Sequence, residues 1–433
     1  MKRSLLVYTS VSFILGIVVL VVSSSAVFAR TFPEFPDFPD FPQVNLVFKK
    51  YIVVLKDNVS DSDGAATELS RRHGFEFGHV FKDVIKGFSV SMPEIVFAKL
   101  KEDPQVEFIS EDLEVHTFRH QTQQPTIQAQ SIPSGISRIN APANANKGTG
   151  IGVAVIDTGI YLSHTDLKAN IVANKNCVQS WKNGNDDNGH GSHVAGTIAA
   201  LDNSVGVVGV APAAKLIAVK VLNSSGSGYW SQIICGLDWV VANTGKYNIK
   251  VANLSLGGGG TSDNNCGNKN NDALHRAICR ARDAGVTIVV AAGNSSANAA
   301  NTVPAAYDDA VITVSALADS NGQPAGGGSV TSYGADDTFA GFSNFGSPVD
   351  IAAPGVNIYS AYKNGGYTTM SGTSMATPHV AGAAALYLQS NPGAGWLQVR
   401  DALKAVPPAE ALGSGHTDPS GLHPESVLQA NSL

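Results

Sequence analysis

Gly372-Thr373-Ser374-Met375-Ala376-Thr377-Pro378-His379-Val380-Ala381-Gly382 opens a segment that stays small or apolar from Ala383 through Leu388. A helix that is apolar all round is a buried helix, so this stretch predicts one running through the middle of a domain. Ser374 falls in its first turn, where free N–H groups and the positive end of the helix dipole favour developing negative charge. Gly372 lets another chain approach closely. A serine so placed suits a nucleophile, yet Ser and Thr are also the usual helix N-caps. The rest of the chain decides between these readings.

Upstream, from Ala129 on, apolar strands alternate with helical segments. Runs of β-formers occur at Ile151 to Ile156, Leu216 to Val221, Val251 to Ser255 and Val286 to Ala291, with helical candidates at His193 to Ala200, Ser231 to Asn243 and Asp272 to Ala284. This alternation predicts an α/β domain, a mainly parallel sheet with helices on both faces. Working residues in such sheets collect at the carboxyl ends of the strands. The first strand ends in Asp157-Thr158-Gly159, the fourth in Ala292-Gly293-Asn294, and His190 stands at the mouth of the helix in Asn188-Gly189-His190-Gly191-Ser192-His193.

With Ser374 these supply an acid, a base, a nucleophile and an amide donor, each flanked by glycine. A serine hydroxyl is a poor nucleophile until an imidazole takes its proton, and the imidazole needs a carboxylate to hold its tautomer. The tetrahedral oxyanion needs fixed donors, for which Asn294 and the Ser374 N–H are the candidates. Singly, each residue has an ordinary reading as a cap, a structural histidine or a turn. The order Asp157, His190, Asn294, Ser374, every member in its own motif, outweighs those readings.

Composition and the remaining segments bound the rest. Charged residues make up 15% of the 433 and glycines number 44, which fits a compact extracellular globule. A net charge of −6 leaves no basic stripe and argues against a nucleic-acid partner. Lys2-Arg3, an apolar run to about Val22 and then Ser23 to Ala29 have the zones of a secretory signal, so residues 1–29 are read as one. That run is long for a signal, which leaves an uncleaved membrane anchor open. Residues 30–48 carry the repeat Phe32-Pro33-Glu34-Phe35-Pro36-Asp37-Phe38-Pro39, an extended polyproline-type spacer. Residues 49–117 read as a small α+β unit with strands at Tyr51 to Leu55, Gly87 to Met92 and Val106 to Ile109 and helices at Ala65 to His73 and after Pro93. Its core is marginal, so it needs a partner surface. His116 to Gln128 is polar and without periodicity; residues 118–128 are read as an exposed, cleavable linker. Cys177, Cys235, Cys266 and Cys279, an even count in an exported chain, read as disulfides.

Over roughly residues 50 to 400 the chain resembles a subtilisin-type serine protease precursor. Asp157-Thr158-Gly159, His190-Gly191-Ser192-His193-Val194-Ala195-Gly196 and Gly372-Thr373-Ser374-Met375-Ala376 resemble that family's three signature motifs in the family's order, with Ser192 where threonine is usual. The resemblance implies a secreted, monomeric serine endopeptidase acting on proteins and peptides, with Asp157, His190 and Ser374 as its triad and Asn294 at the oxyanion. It implies a subtilisin-like catalytic domain over 129–433 and, for 49–117, a ferredoxin-like propeptide that assists folding, inhibits the enzyme and is cut away. The favoured processing point is Gln128–Ala129, because Ala129-Gln130-Ser131-Ile132-Pro133 resembles the start of mature relatives. Ser225-Gly226-Ser227-Gly228 and Ser255-Leu256-Gly257 resemble the segments that sandwich an extended substrate by β-pairing; Ala292 and Gly293 add to the wall of the S1 pocket. Leu201, Asn203, Val205 and Val207, with Asp166 and Gln130, resemble the ligands of a structural Ca²⁺. The same fold implies the pairs Cys177–Cys235 and Cys266–Cys279. Gly322 to Ala340, with Asp336-Asp337, resembles a loop insertion.

Competing chemistries find less support. His190 and His193 lack the glutamate and spacing of a zinc-protease helix, and no second Asp-Thr-Gly completes an aspartic dyad. His193 and His379 are expected to be packed structural histidines. A binding protein that keeps the fold would have lost a triad member, and none is missing. A narrow-specificity processing protease shares the chemistry and stays open. No acidic residue lines the short S1 segments, so the expected P1 residue is uncharged and medium or large.

Overall fold

The computed structural model describes residues 47–118, 120–121, 129–324, 326–405 and 416–433. The expected signal, the Phe-Pro repeat and Gln128 lie outside them. The first unit comprises β1 (Phe48–Leu55), α1 (Ser62–His73), β2 (Phe77–Phe81), β3 (Gly87–Pro93), α2 (Glu94–Lys101), β4 (Val106–Glu111), β5 (Glu114–Thr117) and β6 (His120–Gln121). Four of these form an antiparallel sheet in the order β2-β3-β1-β4. Asp61 starts α1 by accepting the Gly64 amide, and Gly74 ends it in a left-handed turn, the acceptor cap and glycine stop that helix ends favour.

Alternation along the strands divides the sheet's side chains between two faces. Tyr51, Val53, Leu55, Phe88 and Met92 pack with Ala66, Leu69 and Leu100 of the two helices. Ile52, Val54, Phe81 and Phe108 instead join Trp230, Ile233, Leu237 and Ile278 of the large domain. The partner surface that the unit's size calls for is therefore the large domain of the same chain. Asp238 anchors the contact by accepting the amides of Lys82, Asp83 and Val84 at 3.0, 2.6 and 2.9 Å. Asp112 takes the Ser231 N–H and hydroxyl at 2.8 and 2.7 Å, and burial pushes both carboxyls above the usual range.

The large domain continues with α3 (Ser134–Arg138), β7 (Gly152–Asp157), β8 (Ile171–Asn176), α4 (His190–Ala199), β9 (Lys215–Lys220), β10 (Ser227–Tyr229), α5 (Trp230–Ala242), α6 (Thr244–Tyr247), β11 (Ile249–Leu254) and β12 (Leu256–Gly259). It ends with α7 (Ala273–Asp283), β13 (Thr287–Ala291), β14 (Thr302–Val303), β15 (Ile312–Ala318), β16 (Thr338–Phe339), β17 (Ile351–Pro354), β18 (Ile358–Ala361), β19 (Tyr367–Ser371), α8 (Thr373–Ser390) and α9 (Trp396–Ala405). The central sheet runs β15-β13-β11-β7-β9-β8 with every pair parallel, β17 parallel to β15 and β16 antiparallel to it. Along β7, Val153 and Val155 face the core that holds α4 and α8, while Ala154 and Ile156 face the one that holds α5 and α7. Helices thus cover both faces, as a parallel sheet requires. Helix α8 is buried on all sides from Thr373 to Leu386, the outcome its composition predicted.

Both implied disulfides form: Cys177–Cys235 with Cα atoms 6.0 Å apart and Cys266–Cys279 at 5.8 Å. Two differences from the sequence reading stand out. β2, β8 and β15 were not anticipated. His120 and Gln121, inside the stretch read as linker, are strand. The C-terminal residues dock on the domain, with Leu428 N–H on Ala352 O and Ala430 N–H on Ile139 O.

The 322–340 stretch folds around carboxylates. Asp337 accepts from the buried Arg138 Nε (2.8 Å), and Asp336 accepts the Ser320 and Gly328 amides. Beside them the Asp319 carboxyl is pushed up to about 7, first by burial, with Asp337 and Asp336 adding to the rise and Arg138 opposing it. Since the folded value lies above the unfolded 3.8, folding takes up a proton in that window, and this group's contribution to stability falls as pH rises through it. Asp319→Asn is therefore expected to melt at an increasingly higher temperature than the wild type as pH climbs from about 4 to about 7, the difference levelling off above that. A pH-independent difference would contradict the assignment.

Candidate active site

β7 delivers Asp157 to its carboxyl end and α4 starts at His190. His190 Nδ1 lies 2.8 and 2.9 Å from the two Asp157 oxygens, with both side chains fully buried. The helix can sit this close to the strand end because position 191 is glycine; a Cβ there would lie 2.0 Å from Gly159 O. Asp186 ties the two elements together. Its buried carboxylate accepts from Thr158 Oγ1 (2.9 Å), the Gly189 and Ser192 amides (2.8 and 3.0 Å) and Ser192 Oγ (2.7 Å). The hydroxyl retained at Ser192 is therefore in use. Sequence reasoning passed over Asp186, although an acid just ahead of a helix start is a capping signal.

Ser374 occupies the first turn of α8. Its hydroxyl donates to Ser255 O (2.9 Å) and accepts the N–H of Phe118 (3.1 Å). His190 Nε2 is buried and has no hydrogen-bond partner among the described residues, so the Ser374–His190 bond is not made while Phe118 is in place. Asn294 Oδ1 accepts both the N–H (2.9 Å) and the hydroxyl (2.8 Å) of Thr373. An N–H can only donate, which fixes the amide's orientation. Asn294 Nδ2 is then the buried donor without a partner among the described residues. Gly293 N–H donates to Thr373 Oγ1 (3.2 Å) and Ala292 N–H to Val314 O, holding that strand end beside α8.

Across this site runs the chain's own β5. It is antiparallel to β10, with Ser227 opposite His116 and Gly228 opposite Val115, and antiparallel to β12, with Leu256 opposite Thr117 and Gly257 opposite His116. Thr117 N–H donates to Gly226 O (3.0 Å), and Ser225 N–H closes the neighbouring turn on Asn223 Oδ1. The Phe118 ring lies over Gly257, where a Cβ would meet it at 2.7 Å. Past the serine, β6 pairs with β19, His120 opposite Ser371 and Gln121 opposite Met370.

Gln130 Nε2 donates to Leu201 O (2.8 Å) and its Oε1 accepts the Ser204 amide. Asn203 Nδ2 donates to Asp166 Oδ1, Val207 N–H to Asp166 Oδ2 and Val205 N–H to Asn203 Oδ1. All six residues of the expected cation loop therefore meet. Asp166 is buried, its carboxyl raised chiefly by burial, and no Lys or Arg pairs with it among the described residues. One buried carboxylate, two side-chain amides and nearby carbonyls are the oxygen donor types a hard cation takes, once Asn203 and Gln130 turn their amide oxygens inward in place of the nitrogens that bond Asp166 and Leu201 O.

Comparison with known proteins identifies the family. The subtilase family model matches residues 148–414, and the peptidase inhibitor I9 model matches residues 50–118. The chain belongs to the subtilase family. It is 43% identical over 365 residues to an alkaline protease of Shouchella clausii, covering 83% of this chain and 82% of that one. It is 40% identical over 366 residues to subtilisin E of Bacillus subtilis (strain 168), covering 83% and 85%. The crystal structure of a cold adapted subtilisin-like serine proteinase superimposes with a TM-score of 0.53 at 38% identity, covering 66% of this chain and 95% of that one. This subtilase is accordingly a serine protease with an inhibitor-type N-terminal unit.

Two further histidines of the subtilase motifs are structural. His193 Nε2 bonds Ile358 O and His379 Nδ1 bonds Met375 O, both at 2.9 Å. Burial lowers them to about 3 and about 4, so both stay neutral at working pH.

Proposed function

We propose that this subtilase is an exported, monomeric serine endopeptidase, made as a zymogen, that hydrolyses peptide bonds through Asp157, His190 and Ser374. The observation that carries the reading is the extended strand 114–118 held between β10 and β12, with its Phe118 N–H on Ser374 Oγ. A substrate bound in that way has its backbone fixed by the enzyme's own strands, which makes side-chain demands few.

Ser374 Oγ attacks the carbonyl carbon while His190 Nε2 takes its proton and passes it to the leaving amine. Asp157 holds the imidazole in the Nδ1–H tautomer and stabilises its charged form. Asn294 Nδ2 and the Ser374 N–H at the helix start steady the oxyanion. The N-terminal unit occupies the substrate strand's place until removed, which supports an inhibitor role for it. Gly257 opens room for an aromatic ring in S1. The signal-like N-terminus supports export; among the described residues no helix is long and apolar enough to cross a membrane.

Gln130, Asp166, Leu201, Asn203, Val205 and Val207 would hold Ca²⁺, which would pin the N-terminal segment to the loop after α4 and supply stability, not chemistry. Removing it with EDTA is expected to cost about 3 kcal/mol at saturating metal, a melting point roughly 5–10 °C lower. An unchanged melting curve would remove the cation from the account.

Incubating the processed enzyme with an unfolded protein and sequencing the fragments tests the reading as a whole. Cuts inside the chain are expected; trimming from the ends alone, or no cuts, would refute an endopeptidase.

A further inference from the structure

We propose that Cys266, Cys279, His275 and Asp309 form a redox-gated Zn²⁺ site, closed while the Cys266–Cys279 disulfide stands and open once it is reduced. The proposal does not depend on the serine-protease reading. One donor atom from each of the four residues lies within 4.8 Å of the other three. A tetrahedral zinc ion, with bonds of about 2.0–2.3 Å to S, N and O, holds its donors roughly 3.3–3.8 Å apart. The group is therefore close to the size such an ion needs. A covalent bond between the sulfurs denies them the charge to bind a metal, and reduction restores it.

Three segments supply the donors. His275 and Cys279 are four residues apart on α7, which puts both side chains on one face of that helix. Cys266 comes from the Asn-rich loop ahead of α7, and Asp309 from the turn between β14 and β15. Each donor is already aimed. Tyr307 stacks on the His275 ring with centroids 3.9 Å apart, and its hydroxyl is fixed by Asp272 Oδ2 (2.7 Å). Cys266 N–H donates to Asp309 Oδ2 (3.0 Å), while Asp309 Oδ1 faces His275 Nε2 at 2.6 Å. The other ring nitrogen, Nδ1, lies 3.4 Å from Asp263 Oδ1. A carboxylate behind a metal-bound imidazole fixes its tautomer and raises its basicity. Asp263 is held in turn by the amides of Gly267 and Lys269, at 3.0 and 2.8 Å. His275 and Cys279 are buried, whereas Cys266 and Asp309 are partly exposed and give an ion a way in. Two thiolates and an imidazole select zinc over the hard cations that carboxylates and carbonyls take.

Opening the site needs a reductant. A phosphine breaks the S–S bond and takes an oxygen from water, becoming the phosphine oxide and leaving two thiols. Zn²⁺ then displaces the two thiol protons into solvent, so binding tightens as pH rises. The disulfide ties the loop to α7 in the oxidised chain, and the metal ties the same two segments in the reduced one.

Co²⁺ titration of the reduced full chain under argon tests the site, because tetrahedral, thiolate-bound Co²⁺ is coloured. The chain carries Ser374→Ala so that it does not digest itself, and the phosphine is removed by desalting. One Co²⁺ per chain is expected, with a thiolate charge-transfer band that Zn²⁺ bleaches and that is absent before reduction. Cys177→Ser with Cys235→Ser should keep the band, and His275→Gln should lose it. Asp263→Asn should weaken Co²⁺ binding about 10–100-fold. Circular dichroism establishes that each variant is folded. A band that survives His275→Gln, appears with the disulfide intact, or vanishes in folded Cys177→Ser, Cys235→Ser overturns the proposal. So does an unchanged affinity in Asp263→Asn, or a reduced chain that takes up no cobalt, whether it stays folded or not.

Discussion

Ser374→Ala is expected to leave the precursor whole and to lower kcat for peptide hydrolysis by about 10⁶-fold, a magnitude carried over from subtilisin itself. The hydroxyl makes two hydrogen bonds, to Ser255 O and from the Phe118 N–H, and its loss leaves the packing of α8 intact. Stability should therefore change little while chemistry is lost. Asp157 and His190 would remain paired in the buried site, yet an imidazole without a hydroxyl to deprotonate forms no acyl-enzyme. Gel analysis of the purified variant against wild type reads the outcome. Efficient self-processing by Ser374→Ala would mean that another residue, or another molecule, does the cutting.

Asn294→Ala is expected to lower kcat by about 10²–10³-fold, equivalent to about 2.7–4 kcal/mol, with a much smaller change in KM; this magnitude too comes from subtilisin. Thr373 binds the Oδ1 end of the amide from two donors, so Nδ2 is aimed before any substrate arrives. A donor fixed in that way strengthens its interaction as charge builds on the carbonyl oxygen, which is why the effect falls on the rate. Steady-state kinetics on a peptide anilide separate the two constants. A tenfold KM change with unaltered kcat would turn Asn294 into a ground-state binding residue.

The chain's legibility depended on how local each signal was. The ends of β7 and β13, the start of α4 and the all-apolar α8 announce themselves in short glycine-flanked runs. The sequence reading therefore placed Asp157, His190, Asn294 and Ser374 on the right elements. β8 escaped notice because Ile171–Asn176 mixes polar residues into an edge strand. β15 escaped because Ile312–Ala318 combines serine and alanine in a short apolar run compatible with helix or strand. Asp186 was illegible as a site residue for a different reason. Its partners come from the β7 end and the α4 start, and only folding assembles them. β6 reads as linker, and β5 goes unread within the α+β unit, since their pairing is supplied by β10, β12 and β19, whose positions relative to residues 114–121 no local pattern encodes.

Ser374 is expected to be the one activated nucleophile of this fold. Treating the processed enzyme with a phosphonofluoridate serine probe and mapping the adduct by peptide mass spectrometry tests it most directly. A single modified peptide is expected, carrying the probe on Ser374 and lost in His190→Ala. A probe found on another residue, or labelling that survives the loss of His190 at full rate, would contradict it.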